Sequence, residues 1–232
     1  MAATVIEDLT GLIAKAECVL FDFDGPVCRL FAHHSAPGVA RRMKRLAKAR
    51  GLRVQASRDP HRVLKIVSEL RPGSGLVGEL EERLTREETG AAVSATPTPY
   101  ADELIRAWRL GGRGLAITTN NSPRAVERYL AARGLLDCFA PHIHGRTTDL
   151  DLLKPDPYCL HQALDSLGSR PAAALMIGDT ATDWDAAQRA GVPFLGYARD
   201  ARRAKRLRRA GAPLVVTSLG RVLDAVRGVG GL

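Results

Sequence analysis

Residues 19–28 read VLFDFDGPVC, and the two carboxylates at the end of this apolar run decide how the rest of the chain is read. Val19 to Phe23 are dominated by strand formers, and a sheet interior does not hold an ionised group that lacks a partner or water. Asp22 and Asp24 therefore belong at the strand tip. Alone they describe either a surface Asp-Gly turn or one part of a site to which other segments contribute. A spacing of two turns both side chains to one side and Phe23 away from it.

Outward from this stretch, strand-like pieces recur as CVLFDF, GLAITT, AALMIGD, PFLGY and PLVVTS, separated by helical or mixed sequence. That alternation predicts crossover units on a parallel sheet, an α/β fold. Ser122-Pro123 and Asp156-Pro157 read as helix caps with proline at the first helical position, and Gly134, Gly168 and Gly191 close helices. Residues 29–96 differ. They carry helical patterns over 39–50, 62–70 and 76–88 and no convincing strand, and Asp59-Pro60 opens the middle helix. An insert this long after a first strand is not an ordinary loop. The expected organisation is a core of residues 1–28 and 97–232 with a small all-helical cap domain of residues 29–96. Hinges are expected near 26–30 and at SATPTP, residues 94–99.

A chain of 232 residues buries roughly 70% of the surface its unfolded form exposes, enough for a large domain and a small one. Cys18, Cys28, Cys138 and Cys159 are scattered, with no Cys-x-x-Cys pair, so neither a zinc site nor a disulfide frame is expected. The amino terminus has acids among its apolar residues and no cationic start, and no run is long enough to span a membrane. The expected location is cytoplasmic. Of the net charge of +9, much lies in two runs with seven basic residues each, 41–53 and 199–209. Neither has interleaved aromatics, and both show helical spacing of alanine and leucine, so a solvated helix face is preferred to a nucleic-acid site.

In an open parallel sheet the ligand site lies beyond the carboxyl ends of the strands. Asp22 and Asp24 follow the first strand, Thr118, Thr119, Asn120 and Asn121 follow the second, and Asp179 and Asp183 follow LMIG; Lys154 stands in LLKPDP. Four carboxylates at one locus repel one another. A divalent cation and a lysine remove that objection.

The ordered set DFDG (22–25), TTN (118–120), KP (154–155) and GDTATD (178–183) resembles the haloacid dehalogenase superfamily, in particular its phosphoglycolate phosphatase-like members with a helical cap inserted after the first strand. The resemblance implies a Rossmann-like parallel-sheet core and magnesium-dependent hydrolysis of a small organic phosphate monoester. It implies that Asp22 is the nucleophile, forming an aspartyl phosphate, and that Asp24 is the general acid and base. Thr119, Asn120 and Lys154 would hold the phosphoryl group, Lys154 pairing with the nucleophile as well. Mg2+ would be bound by Asp22, the backbone carbonyl of Asp24, Asp179 and Asp183. Asp24 favours a phosphate ester over a carbon–halogen bond, because halide leaves without a proton. Pro26 departs from the threonine, valine or isoleucine common after the motif glycine, which stiffens the start of the cap. Asp185, His33 and His34 read as polar helix, linker or packing residues, and His142 and His144 mainly as loop residues. A phosphomutase acting on a sugar phosphate and a non-catalytic binding module are the alternative readings, and self-association is left open.

Overall fold

The structure, a computed structural model, describes residues 2–55 and 57–230; residues 1, 56, 231 and 232, which the expected domain bounds include, lie outside the described residues. Eight strands occur among these: β1 (Cys18–Phe21), β2 (Cys28–Arg29), β3 (Thr96–Pro97), β4 (Gly114–Thr118), β5 (Ile143–His144), β6 (Ala174–Gly178), β7 (Phe194–Tyr197) and β8 (Val215–Val216). Six form one sheet in the order β5-β4-β1-β6-β7-β8, every neighbouring pair parallel. β1 lies in the interior of the sheet. Phe21 is level with Ile117 of β4 and Ile177 of β6, so Asp22, Thr118 and Gly178 are the next residues along three adjacent strands. This register brings three distant motifs to one place.

The helices are α1 (Ala2–Lys15), α2 (Ala36–Ala49), α3 (Pro60–Leu70), α4 (Gly75–Ser94), α5 (Ala101–Leu110), α6 (Pro123–Ala132), α7 (Leu136–Phe139), α8 (Tyr158–Leu167), α9 (Ala181–Ala190), α10 (Ala201–Arg209) and α11 (Gly220–Gly230). Strand side chains alternate between two layers. On one face Phe21 meets Trp108 of α5 and Phe139 of α7 edge-on, at ring separations of 5.6 and 5.9 Å, within a cluster that also takes in α1, α6 and α11. On the other, Leu20, Met176 and Phe194 pack against α8, α9 and α10. The chain is thus an α/β protein with a Rossmann-like parallel core, and α2, α3 and α4 form a helical cap after β1. The cap has its own buried cluster, which includes Val39, Met43, Leu64, Leu80 and Leu84.

Helix bounds differ from the expected ones where caps decide them. α2 starts three residues early because Ser35 Oγ accepts the Gly38 amide at 3.2 Å. Asp59 caps α3 as expected, accepting from the His61 amide at 2.9 Å. α4 continues past residue 88 to Ser94, carrying Ala91 and Ala92 into the core cluster. α8 begins at Tyr158, one residue later than Asp156-Pro157 suggested, although Asp156 still accepts the Tyr158 amide at 2.9 Å. The two expected hinges are not separate strings: as β2 and β3 they pair antiparallel, Cys28 with Pro97 and Arg29 with Thr96. Thr98 fastens them further, its hydroxyl donating to the Gly25 carbonyl at 2.6 Å.

Candidate active site

β1 delivers Asp22 and, beyond a tight turn, Asp24. The turn needs Gly25 at φ 146°, where a β-carbon would collide with the Asp179 carboxylate. Pro26 lies in this turn, buried beside Val27. β6 delivers Asp179, and the start of α9 delivers Asp183, whose Oδ2 accepts the Thr180 amide at 2.9 Å in a capping box with the Thr180 hydroxyl. Close approach is again enforced by glycine: a β-carbon on Gly178 would lie 2.5 Å from that of Asp183. Lys154 Nζ bridges the set, donating to Asp22 Oδ1 at 2.9 Å, Asp183 Oδ1 at 2.5 Å and the Thr118 carbonyl at 2.8 Å.

The electrostatics follow from this crowding. Burial and the neighbouring Asp183 and Asp24 push the Asp22 carboxyl up to about 7, against the pull of Lys154. Burial raises Asp24 as well, while the Leu30 amide, donating to its Oδ1 at 2.8 Å, works the other way. Asp179 is pushed well above the carboxylate range by burial and by Asp22, Asp183 and Asp24. Lys154 is held above its ordinary value: burial opposes its charge, but Asp183 and Asp22 outweigh it.

Asp22, Asp179 and Asp183 each offer an oxygen within 4.8 Å of the others. Asp179 Oδ1 is buried without a hydrogen-bond partner, while its Oδ2 accepts from Arg203 Nη1 at 3.2 Å. An orphaned buried oxygen in an all-oxygen donor set fits a hard divalent cation, and the cluster is a candidate magnesium site. The Asp24 side chain is outside this cluster, turned to the Leu30 amide.

Thr119 is buried at the end of β4, and its hydroxyl lies 3.1 Å from Asn121 Oδ1. The Asn120 amide is committed to the Lys154 backbone: Oδ1 accepts from Lys154 N at 2.8 Å, and Nδ2 donates to Lys154 O at 3.1 Å. It therefore braces the lysine loop. Asp22, Asp24, Thr119, Asn120, Lys154 and Asp183 all line one cavity of 420 Å³, with His61 of α3 on its cap wall. A larger cavity of 780 Å³ reaches Asp24 and Asp179 from the β2–β3 side.

Other candidate histidines stand elsewhere. His142 and His144 share the Ser166 hydroxyl at 3.1 and 2.9 Å, His33 lies 3.2 Å from the Thr96 hydroxyl, and His34 pairs with Glu87 at 2.7 Å. Four residues at or beside the site carried no signal in the sequence. Arg203 sits half-buried within a basic run read as a solvated face, and its pairing with Asp179 corrects that reading at this position. His61, Glu88 and Arg146 stand outside every motif.

Comparison with known proteins agrees with this geometry. A phosphoglycolate phosphatase of Rhodospirillum rubrum is 29% identical over 210 residues, covering 79% of this chain and 82% of that protein. Another, of Thiobacillus denitrificans, is 34% identical over 116 residues, about half of each chain. Among solved structures, a HAD family hydrolase of Deinococcus radiodurans, crystallised with phosphate and sodium, superposes with a TM-score of 0.62 at 25% identity, covering 94% of this chain and 98% of that one. A β-phosphoglucomutase of Clostridium difficile shares the fold, with a TM-score of 0.66 at 16% identity over 93% of this chain and 97% of that one. The signature of the haloacid dehalogenase-like hydrolases matches residues 16–191, and the chain belongs to that family of hydrolases.

Proposed function

We propose that this protein is a magnesium-dependent phosphatase that hydrolyses a small phosphate monoester in two steps through an aspartyl phosphate on Asp22. The observation that carries the reading is the pairing of Asp22 with Lys154 inside the acidic cluster, with Asp24 on the same cavity. Asp22, Asp179, Asp183 and the backbone carbonyl of Asp24 hold the metal. When bound, Mg2+ offsets charge on the phosphoryl oxygens and on the carboxylates around them.

The residues divide the remaining work. Lys154 favours the ionised form of Asp22 against the burial that raises it, and offsets the repulsion between a carboxylate and an anionic ester. Thr119, through its hydroxyl, and the Asn120 backbone N–H hold phosphoryl oxygens. One Asp22 oxygen attacks phosphorus and the ester P–O bond breaks; the departing alkoxide takes the proton of Asp24. Asp24, now a carboxylate, removes a proton from water as that water attacks phosphorus. The bond to Asp22 then breaks, inorganic phosphate leaves, and both carboxylates return to their starting states.

The cap comprises residues 29–96 and the core residues 1–28 and 97–232. The names of the curated relatives support phosphoglycolate as the first ester to try. A panel of phosphoglycolate, sugar phosphates and nucleoside monophosphates, assayed for released phosphate with magnesium and with excess chelator, tests the reading. Metal-dependent phosphate release from at least one ester is expected; isomerised sugar phosphate without released phosphate would favour a mutase, and no turnover a binding module.

A further inference from the structure

Two residues that line the cavity, His61 and Asn121, share a carboxylate that no motif contains. Glu88, on α4 of the cap, is fully buried and has both oxygens engaged. Oε1 accepts from Asn121 Nδ2 at 2.9 Å and Arg146 Nη1 at 3.0 Å, and His61 Nε2 lies 3.0 Å from it. Oε2 accepts from the Ser122 amide at 3.0 Å and Arg146 Nη2 at 2.9 Å. Arg146, equally buried, donates also to the Asn120 carbonyl at 3.0 Å, and its own amide donates to the Asn121 carbonyl at 2.9 Å. Gly145 permits this approach, since a β-carbon there would lie 2.6 Å from that carbonyl.

A buried ion pair is a weak way to join two domains, because apolar side chains of the same volume join them as well or better. What an apolar pair cannot do is accept hydrogen bonds from Asn121 and Ser122. Those two residues, with Asn120, make up the turn that follows Thr119. The same carboxylate holds the His61 ring on the cavity shared by Asp22, Asp24 and Lys154. A single cap residue therefore ties the turn to a cap side chain that faces the site.

We propose that Glu88 is a positioning residue for the hydrolysis: from the cap it fixes the 119–122 turn that receives the phosphoryl group, and it holds His61 in place as a contact for the organic part of the substrate. This rests on the phosphatase reading above. The phosphate pocket is then complete only with α4 docked, and the cap contributes to phosphate binding as well as to selectivity.

Calorimetric titration of inorganic phosphate into the full-length protein with saturating magnesium reads the turn directly and requires no turnover. E88Q is expected to weaken phosphate binding on the order of tenfold, as loss of one charge-assisted hydrogen bond would. N121A keeps the Glu88–Arg146 pair, and it should weaken phosphate binding several-fold with little change in melting temperature. H61Q should leave phosphate affinity unchanged while raising KM for the organic ester. Folded E88Q or N121A with unaltered phosphate affinity would overturn the positioning role, whatever happened to stability. An unchanged KM in H61Q would overturn the substrate contact. A wild-type protein that binds phosphate but hydrolyses no ester would sink the phosphatase reading alone, and the affinity comparison would still decide the role of Glu88 toward phosphate.

Discussion

Asp24 and Asp22 are two residues apart but are held differently, and the difference separates their roles. Asp22 is pinned by the Lys154 ammonium, whereas Asp24 accepts a backbone amide from Leu30 at the start of the cap. A group that gives a proton in one step and takes one in the next is replaceable only where the leaving group needs no proton. D24N should therefore still be phosphorylated by p-nitrophenyl phosphate, whose weakly basic nitrophenolate leaves unaided, and then stall, because nothing activates the water. Turnover should fall by about 10²–10⁴, and mass spectrometry of the acid-quenched protein should find phosphate on the peptide containing Asp22. Full turnover with no trapped phosphate would remove Asp24 from the mechanism. At this scale Asp22, Asp24, Thr119, Asn120, Asp179 and Asp183 were legible because each closely follows a strand, and Lys154 because it stands alone among apolar and turn residues. Arg146 and Glu88, 58 residues apart, were not, because a lone arginine after a short strand and one glutamate in GELEERLTREE look like surface charge until the fold joins them.

At the scale of elements, α4 departs furthest from its sequence reading. The pattern ends near residue 88, yet the helix runs to Ser94 and joins the core cluster through Ala91 and Ala92. The strands β2 and β3 were invisible because two residues carry no periodicity; only their pairing defines them. The charge on α4 has a thermodynamic signature. Burial acts to raise the Glu88 carboxyl, but Arg146 and His61 overcome it and hold the group at about 2, below the ordinary 4.5. A depressed carboxyl contributes stability that is fully present above about pH 4.5 and is lost as the pH falls through about 2. E88Q should thus be less stable than wild type at pH 7, and the gap should narrow as the pH falls from about 5 toward 2. Urea midpoints measured across that interval check this, and a gap independent of pH would contradict it.

For the whole molecule, the sheet order places β1 between β4 and β6, and so concentrates carboxylates that lack enough cations of their own. The protein is basic overall, with a net charge of +9, yet among the described residues only Lys154 and Arg203 pair with the acidic cluster. Magnesium should then stabilise the fold as well as the reaction. At a hundredfold excess over its Kd the ion should raise the melting temperature by about 5 to 10 °C. D179N should abolish that rise without destabilising the metal-free protein, since burial and the neighbouring carboxylates already disfavour the Asp179 charge there. A magnesium response unchanged in D179N would place the ion elsewhere. The central claim is the covalent role of Asp22. Its most direct test is phosphate release by purified D22N and wild type, side by side, in saturating magnesium on the best ester of the panel. The account predicts a fall of about 10³-fold or more in kcat, with the fold and phosphate binding retained; hydrolysis by D22N at the wild-type rate would contradict it.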